Sequence, residues 1–364
     1  MTLDGLRVLD LTTIIAGPAC TRTLATFGAD VVKIDRPGPD RPLWFPHLHI
    51  DAHRGKRHVL LDLEDPVGRD TFLGLADGAD VIVENARPGV WDRLGIGYDV
   101  MSERRPSIVW TSVRLFSGEH TAAAWPGYET TAQAVSGLAV RFGGTDGAPR
   151  RAGGGAIDDY AAGVSAAFAT VLAVMQAQRS GVGRRVETSL VGVATLYQSF
   201  DVVDPSGWAQ RSCGGLEARG SSPECRSWPA SDGWVHAVLR DTALEEFARA
   251  LGTPCEGEAI EAATATHPCE ELIAVALGAG GFAVRVHDDE SLRADLERRG
   301  RFRTVDQPAW GRVGHVGHPV TFTPPLGDPW RPAPGWGEHT DEVLGALGLH
   351  EDGQASAAPR RPIS

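Results

Sequence analysis

The sequence predicts an α/β fold: a parallel-sheet large domain covered by helices on both faces, plus a smaller α+β domain. Three observations carry this. Short, near-continuous apolar runs alternate with helical stretches through residue 190. Such runs are the mark of strands buried on both faces. Glycine and proline punctuate the run ends, and the texture changes after about Asp204.

Element by element, LRVLDL (Leu6 to Leu11) is a short apolar strand. Gly17-Pro18 opens a helix, since proline is tolerated in the first turn, and Gly28 stops it. DVVKID (Asp30 to Asp35) is the next strand, so the first unit is β-α-β with a right-handed crossover. The alternation of His47 and His49, with His53 beyond, reads as an extended segment bearing surface histidines. HVLLDL (His58 to Leu63), a helix from Pro66, ADVIVEN (Ala79 to Asn85) and SIVWTSV (Ser107 to Val113) continue the pattern. Gly143 to Gly155 is a glycine-rich loop with a turn at Asp146-Gly147. A long helix follows from about Asp159 to Arg179, rich in small residues that suit close packing. RRVETSL (Arg184 to Leu190) is the last strand of this half. Beyond it, Pro205 to Ser231 reads as linker and loop, WVHAVL (Trp234 to Leu239) as a strand, and 241–252, 266–278 and 289–299 as helices. Trp310 to Trp336 reads as extended and proline-rich, with a helix from about Thr340 to Leu347. The expected organisation is a large domain over 1–204, a linker over 205–232, a small domain over 233–305, a return to the large domain over 306–350, and a frayed tail over 351–364.

Composition excludes several classes. Apolar residues at 42% and charged residues at 23% exclude a disordered or fibrous chain. Without a run of 18 apolar residues, no membrane span is expected, and Asp4 in the opening segment argues against a secretory signal. A net charge of −12 argues against nucleic acid or an anionic membrane as partner. Five cysteines without a CxxC pair argue against a disulfide framework or zinc site and fit a cytoplasmic protein. The segment from Lys33 to Arg57 departs from this acidic background, with six Lys/Arg against three acids. That local excess points to a small anionic ligand.

Ligands of parallel sheets bind at the carboxyl ends of the strands, here Thr12 to Gly17, Arg36 to Gly38, Asn85 to Gly89 and Arg114 onward. No GxGxxG follows the first strand, no GKS/T follows Gly153 to Gly155, and no GxSxG elbow is present. Asp158-Asp159 remains, at the start of the long helix after the glycine loop. One reading makes these residues an N-cap and a partner for the helix dipole. The other makes a carboxylate there a covalent nucleophile, with backbone N–H groups near a developing oxyanion.

Seven segments, in order, resemble the family III CoA-transferases, the group of formyl-CoA transferase, carnitine CoA-transferases and α-methylacyl-CoA racemase. They are LDGLRVLDLTTIIAGPACTRTLATFGADVVKIDRPG, HRGKRHVLLDLEDPVGRD, ADVIVENARPGVWDRLGIGYD, GYETTAQAVSGLA, IDDYAAGVSAAFATVLAV, GVGRRVETSL and GEHTDEVLGALGL. The resemblance is dense over 1–200 and 310–349 and thin over 205–310. It implies a Rossmann-like large domain, an interlocked homodimer, and CoA transfer from an acyl-CoA donor to a carboxylic-acid acceptor, without a metal. It implies Asp159 as nucleophile. By motif position it implies coenzyme A contacts from Ile15, Ala16, Arg36, Leu61, Glu64, Asn85, Ala86, Arg87 and Arg93, with Tyr128 and Glu129 lining the acyl pocket. Where the racemases carry a Gly-His-Asp motif, this chain has Gly127-Tyr128-Glu129. That disfavours two-base racemisation, so an acyl-CoA isomerase or racemase ranks second and a non-catalytic CoA-binding protein third. Ile15 stands where some transferases have glutamine, His53-Arg54 where the second block begins with asparagine, and no tetraglycine lid occurs over 205–260.

Overall fold

The structure is a computed structural model. It describes residues 2–38, 46–118, 120–143, 148–153, 155–202, 219–307, 310–327 and 330–347. The chain divides into two compact units, one formed by Met1–Ala139, Arg151–Trp208 and Arg303–Ser364, the other by Val140–Arg150 and Ala209–Phe302. The short Val140–Arg150 stretch thus belongs with the second unit rather than with the chain around it.

The first unit is built on six strands: β1 (Arg7–Asp10), β2 (Asp30–Asp35), β3 (Arg57–Leu60), β4 (Val81–Glu84), β5 (Val109–Arg114) and β6 (Arg185–Ser189). They form one sheet in the order β3-β2-β1-β4-β5-β6, every pair parallel. The chain first builds outward from β1 to β3, then returns to the other side of β1 for β4. The crevice between β1 and β4 is therefore the point where connections diverge to opposite faces, the usual ligand position in such sheets.

Strand residues alternate between two cores, as a pleated strand requires. Val8, Val31, Val81, Val83, Val109 and Val113 pack with the helices Ala16–Thr26 and Ile157–Ser180. Leu9, Val32, Ile34, Ile82 and Trp110 pack on the other face with Phe72 and Met101, from the helices Pro66–Asp77 and Tyr98–Arg104. Asp65 caps the first of these two helices from the residue before Pro66.

The helix Ile157–Ser180 starts two residues earlier than expected and ends on Gly181, whose φ of +72° suits a glycine cap. Gly163 is the closest approach to its neighbour. A Cβ there would stand 2.6 Å from the Ala16 carbonyl oxygen and 2.6 Å from Ala19 Cβ. By length and composition this helix is long and apolar enough to cross a membrane, contrary to the expectation from the lack of an uninterrupted apolar run. Its small-residue face is built into the first core through Ala162, Ala166 and Ala173.

Several expectations are corrected. His47 and His49 lie on a helix, Pro46–His53, not on an extended segment. The helical repeat brings His49 and His53 to one face, where both are buried, with ring centroids 4.8 Å apart. The supposed linker contains β7 (Gly220–Ser222) and β8 (Cys225–Ala230), which pair antiparallel. Pro229 lies next to the end of β8, where a proline is tolerated. The Asp146-Gly147 turn, residues 205–218 and the tail from 351 lie outside the described residues.

In the second unit, β9 (Gly233–Val238) and β10 (Phe282–Arg285) complete a four-stranded antiparallel sheet, β10-β9-β8-β7. Trp228, Val235 and Ala237 from one face pack with Phe247, Ile260 and Leu272 from the helices Ala243–Ala250, Gly257–Thr264 and Cys269–Gly278. The extended stretch after 300 includes a two-stranded sheet, β11 (Phe302–Gln307) with β12 (Gly311–Val316). Residues 332–342 run back along β3, the edge strand of the large sheet. The His58 ring accepts from the Gly337 N–H at 2.7 Å, and the Thr340 hydroxyl accepts from the Leu60 N–H at 3.1 Å.

Candidate active site

The site forms at the carboxyl edge of the parallel sheet. β1 ends at Asp10, which is fully buried. Its carboxylate meets Lys56 Nζ at 2.9 Å and the hydroxyls of Thr12 and Thr21 at 2.6 Å each. Burial alone would raise the Asp10 carboxyl, but Lys56 and Lys33 outweigh it and, with the two hydroxyls, hold it below the ordinary range. This network ties the end of β1 to the helix that follows.

The connection from β1 then takes an uncommon path. Ile14 has a φ of +70°, a left-handed conformation that a β-branched residue rarely adopts, and its side chain is exposed. The Asn85 side chain holds this turn across the switch point. Its Oδ1 accepts from the Thr13 N–H at 2.9 Å, and its Nδ2 donates to the Thr13 carbonyl at 2.7 Å. Asn85 itself sits on a fixed base. Glu84, buried at the end of β4, accepts from Arg114 Nη2 at 2.7 Å, Trp91 Nε1 at 3.0 Å and the Ala86 N–H at 2.8 Å. Arg114 also donates to the Ala86 carbonyl.

The helix Ile157–Ser180 supplies the acids. Ala156 occupies its N-cap position and offers no side-chain acceptor. The cap comes instead from Glu129, at the start of the helix Glu129–Val135. Glu129 Oε2 accepts from the Asp159 N–H at 2.9 Å, and Oε1 accepts from the Asp158 N–H at 3.2 Å and from Gln133 Nε2 at 2.7 Å. Neither aspartate is therefore the N-cap. Gln133, buried, extends the arrangement into the glycine loop. Its carboxamide accepts from the Ala152 N–H at 2.9 Å and donates to the Ala152 carbonyl at 3.1 Å.

The Asp159 carboxyl is thus not spent on the helix N-terminus. It is 8% exposed, and burial, then Glu129, then Asp158 push it up to about 7. Asp158 is wholly buried, and burial followed by Glu129 raises it to about 6. A carboxyl with a raised pKa is a more basic, and hence stronger, nucleophile once ionised.

The structure places the other sequence-selected residues as follows. Ala16 is buried at the start of its helix, against Gly163. Gly163 lies one turn beyond Asp159 on the same helix. Ile15, which precedes Ala16, is half-buried. Arg36 is exposed after β2, its guanidinium 3.4 Å from Asp62 and 3.2 Å from Glu64. Leu61 has its side chain in the second core, which leaves only its backbone for a ligand. Arg87 and Arg93 are exposed beyond β4. Tyr128 is 66% exposed, and Glu129 is engaged as the helix cap.

Much of the positive segment is paired inside the fold. Lys33 pairs with Asp35 and Lys56 with Asp10, both lysines buried. Arg57 pairs with Asp30 and Glu342, and Arg54 with Asp51. Arg36 stays at the surface, and Arg41 lies outside the described residues. Counting charges along the chain could not separate lysines that neutralise buried aspartates from arginines that face solvent. The Asn85–Thr13, Gln133–Ala152 and Glu84–Arg114 contacts were likewise not legible in sequence, because each joins distant segments. The Glu that ends the apolar run VIVE was the one signal available for the last of them.

The parallel sheet with its switch point between β1 and β4 defines an α/β protein of the class whose ligands usually sit at that crevice. The profile of CoA-transferase family III matches residues 3–340, and the chain belongs to that family. It is 32% identical to a succinyl-CoA:mesaconate CoA-transferase of Haloarcula hispanica, across 95% of this chain and 96% of the relative. It is 28% identical to a formyl-CoA:oxalate CoA-transferase of Rhodopseudomonas palustris, across 99% and 98%. Its fold is similar to that of a CAIB/BAIF family protein from Brucella suis, with a TM-score of 0.83 and 22% identity over 95% and 99% of the two chains.

Proposed function

We propose that the protein moves CoA from an acyl-CoA to a carboxylic acid through covalent intermediates on Asp159. The observation that carries this reading is the division of labour among the acids. Glu129 satisfies the helix N-terminus, so the Asp159 carboxyl is available.

Asp159 attacks the thioester carbonyl. The C–S bond breaks, and a mixed anhydride and CoA thiolate result. The thiolate attacks the aspartyl carbonyl of the anhydride, releasing the donor acid as its carboxylate and leaving an aspartyl-CoA thioester. The acceptor carboxylate attacks that thioester, giving a new anhydride and thiolate. Attack of the thiolate on the acceptor acyl carbon releases the new acyl-CoA and regenerates Asp159. No step needs a Ser-His-Asp set, because an ionised carboxylate is the nucleophile. Each tetrahedral oxyanion needs hydrogen-bond donors aimed at it.

The chain's own residues fit a CoA thioester. Arg36, Arg87 and Arg93 line the exposed carboxyl edge, where planar guanidinium groups can meet phosphate oxygens in pairs. Arg36 would exchange its exposed contacts with Asp62 and Glu64 for phosphate. The engagement of both Glu129 oxygens counts against its acting as a base at an α-carbon, so the isomerase reading is the weaker one.

We place the working enzyme as a homodimer. On the helix Ile157–Ser180, Val164, Phe168, Leu172 and Met175 recur at helical spacing and are 49%, 67%, 50% and 43% exposed. A contiguous apolar stripe of this kind needs a covering surface. A cytoplasmic setting agrees with the free thiols of Cys20, Cys225, Cys255 and Cys269.

The test is intact-protein mass after incubation with succinyl-CoA, formyl-CoA or acetyl-CoA and hydroxylamine. A hydroxamate on the wild type that is absent from Asp159→Ala is the expected result. An equal adduct on both proteins would place the nucleophile elsewhere.

A further inference from the structure

We propose that Cys225, on the small antiparallel sheet, is a second acyl-accepting site: its thiol, with His236 as base, takes the acyl group of an acyl-CoA thioester as an S-acyl cysteine. The pair lies in the second unit, whereas Asp159 belongs to the first. The inference rests on the chain meeting acyl-CoA as a member of its family, and it needs no role for Asp159.

The sheet register builds the pair. β8 and β9 run antiparallel, with Ser227 opposite His236 and Cys225 opposite Val238. Trp228, Val235 and Ala237 pack against the helices of this unit, so the alternate residues Cys225, Ser227, His236 and Val238 share the other face. Cys225 Sγ stands 3.8 Å from His236 Nε2, and Ser227 Oγ stands 3.1 Å from His236 Nδ1. In the tautomer with its proton on Nδ1, the ring donates to the Ser227 hydroxyl and leaves Nε2 to accept from the thiol. A nucleophile, a base within reach of its proton and a third group that orients the base are the parts that activate a thiol. Cys225, Ser227 and His236 are each half-buried, so the sulfur keeps a route to a dissolved thioester.

The surroundings suit an acyl group. On β10, Val284 stands opposite His236 and Phe282 opposite Val238, and both are exposed. They continue the face that carries the thiol as an apolar shelf. The other described cysteines are placed differently. Cys20 and Cys269 are buried, and burial pushes both thiols up, that of Cys20 to about 12. Cys255 is exposed, and among the described residues its thiol has no hydrogen-bond partner. Exposure alone would make Cys255 the first thiol to react, whereas a base at the sulfur makes it Cys225.

The step balances without a co-reactant. The thiol proton passes to His236 Nε2 as the sulfur attacks the thioester carbonyl carbon. The C–S bond to CoA breaks, and the departing thiolate takes the proton back from His236, leaving S-acyl Cys225 and free CoA. One thioester replaces another, so the step runs in reverse when CoA is in excess. Occupancy of Cys225 therefore follows the ratio of acyl-CoA to CoA.

The test uses Asp159→Ala protein, so that no adduct can sit on Asp159, with acetyl-CoA as the probe. Acetylated cysteines are located and timed by peptide mass after digestion at mildly acid pH, where thioesters survive. Cys225 should be acetylated about tenfold faster than Cys255, and a further His236→Gln change should remove most of that rate. Excess CoA should return the free thiol and yield acetyl-CoA. Acetylation of Cys255 as fast as that of Cys225 would overturn the proposal, as would an undiminished rate at Cys225 in a folded His236→Gln protein. Should His236→Gln fail to fold, the ratio of Cys225 to Cys255 with His236 intact still decides. Hydroxamate on Asp159 is scored separately in the wild type. Its absence there would overturn the aspartyl reading and leave this one standing.

Discussion

Glu129 closes the start of a helix that its own sequence leaves open. Ala156 cannot accept a hydrogen bond through its side chain, and the amides of Asp158 and Asp159 turn to a carboxylate from another helix. Two consequences follow for Glu129→Gln. One buried N–H loses its acceptor, which costs about 1–3 kcal/mol, and urea unfolding at pH 8 measures it. Asp159 also loses its principal charged neighbour, so its carboxyl falls from about 7 toward the usual range. The acid limb of adduct formation should then shift downward, together with a loss of stability.

At the scale of elements, two helices and two turns are registered by short contacts rather than by apolar area. Gly163 lets the helix Ile157–Ser180 approach the first turn of the helix Ala16–Thr26. The neighbour at 2.6 Å includes a backbone carbonyl, which cannot swing aside like a side-chain tip. Gly163→Ala should therefore destabilise the fold by about 1–3 kcal/mol despite alanine's better helix propensity. It should also slow adduct formation, because Asp159 lies one turn before Gly163 on the same helix and shifts with it. Equal or higher stability in denaturant titration would show that the helices separate freely. This contact was half legible: the run of small residues announced close packing, but not that Gly163 would be the point of closest approach. The histidines of the Pro46–His53 helix were misread for a related reason. Alternation over three residues fits a strand, and only the buried partners of His49 and His53 make the helical repeat evident.

At the scale of the molecule, the exposed stripe on the helix Ile157–Ser180 bears on assembly. Phe168, the most exposed of its apolar residues at 67%, is the place to introduce a charge. Phe168→Glu should convert a particle of twice the chain mass into one of single chain mass, as measured by light scattering, while the Tm of the monomeric unit stays close to wild type. A wild type that is already monomeric would leave the stripe without the role assigned to it.

The amino-acid sequence alone determined the alternation of β1 to β6 with helices, because near-continuous apolar strands and 3.6-residue apolar faces are local patterns. It also marked the helix start that carries Asp158 and Asp159, because a glycine loop followed by two acids is local as well. Only the tertiary structure decided which charges meet. Lys33 and Lys56 went inward to Asp35 and Asp10 rather than outward to a ligand, Asn85 reached across to Thr13, and Glu129 took the helix cap. The physical reason is one of range. Backbone preference and amphipathic period act within a few residues, whereas the pairing of buried charges and the filling of orphan N–H groups depend on segments that the fold alone brings together.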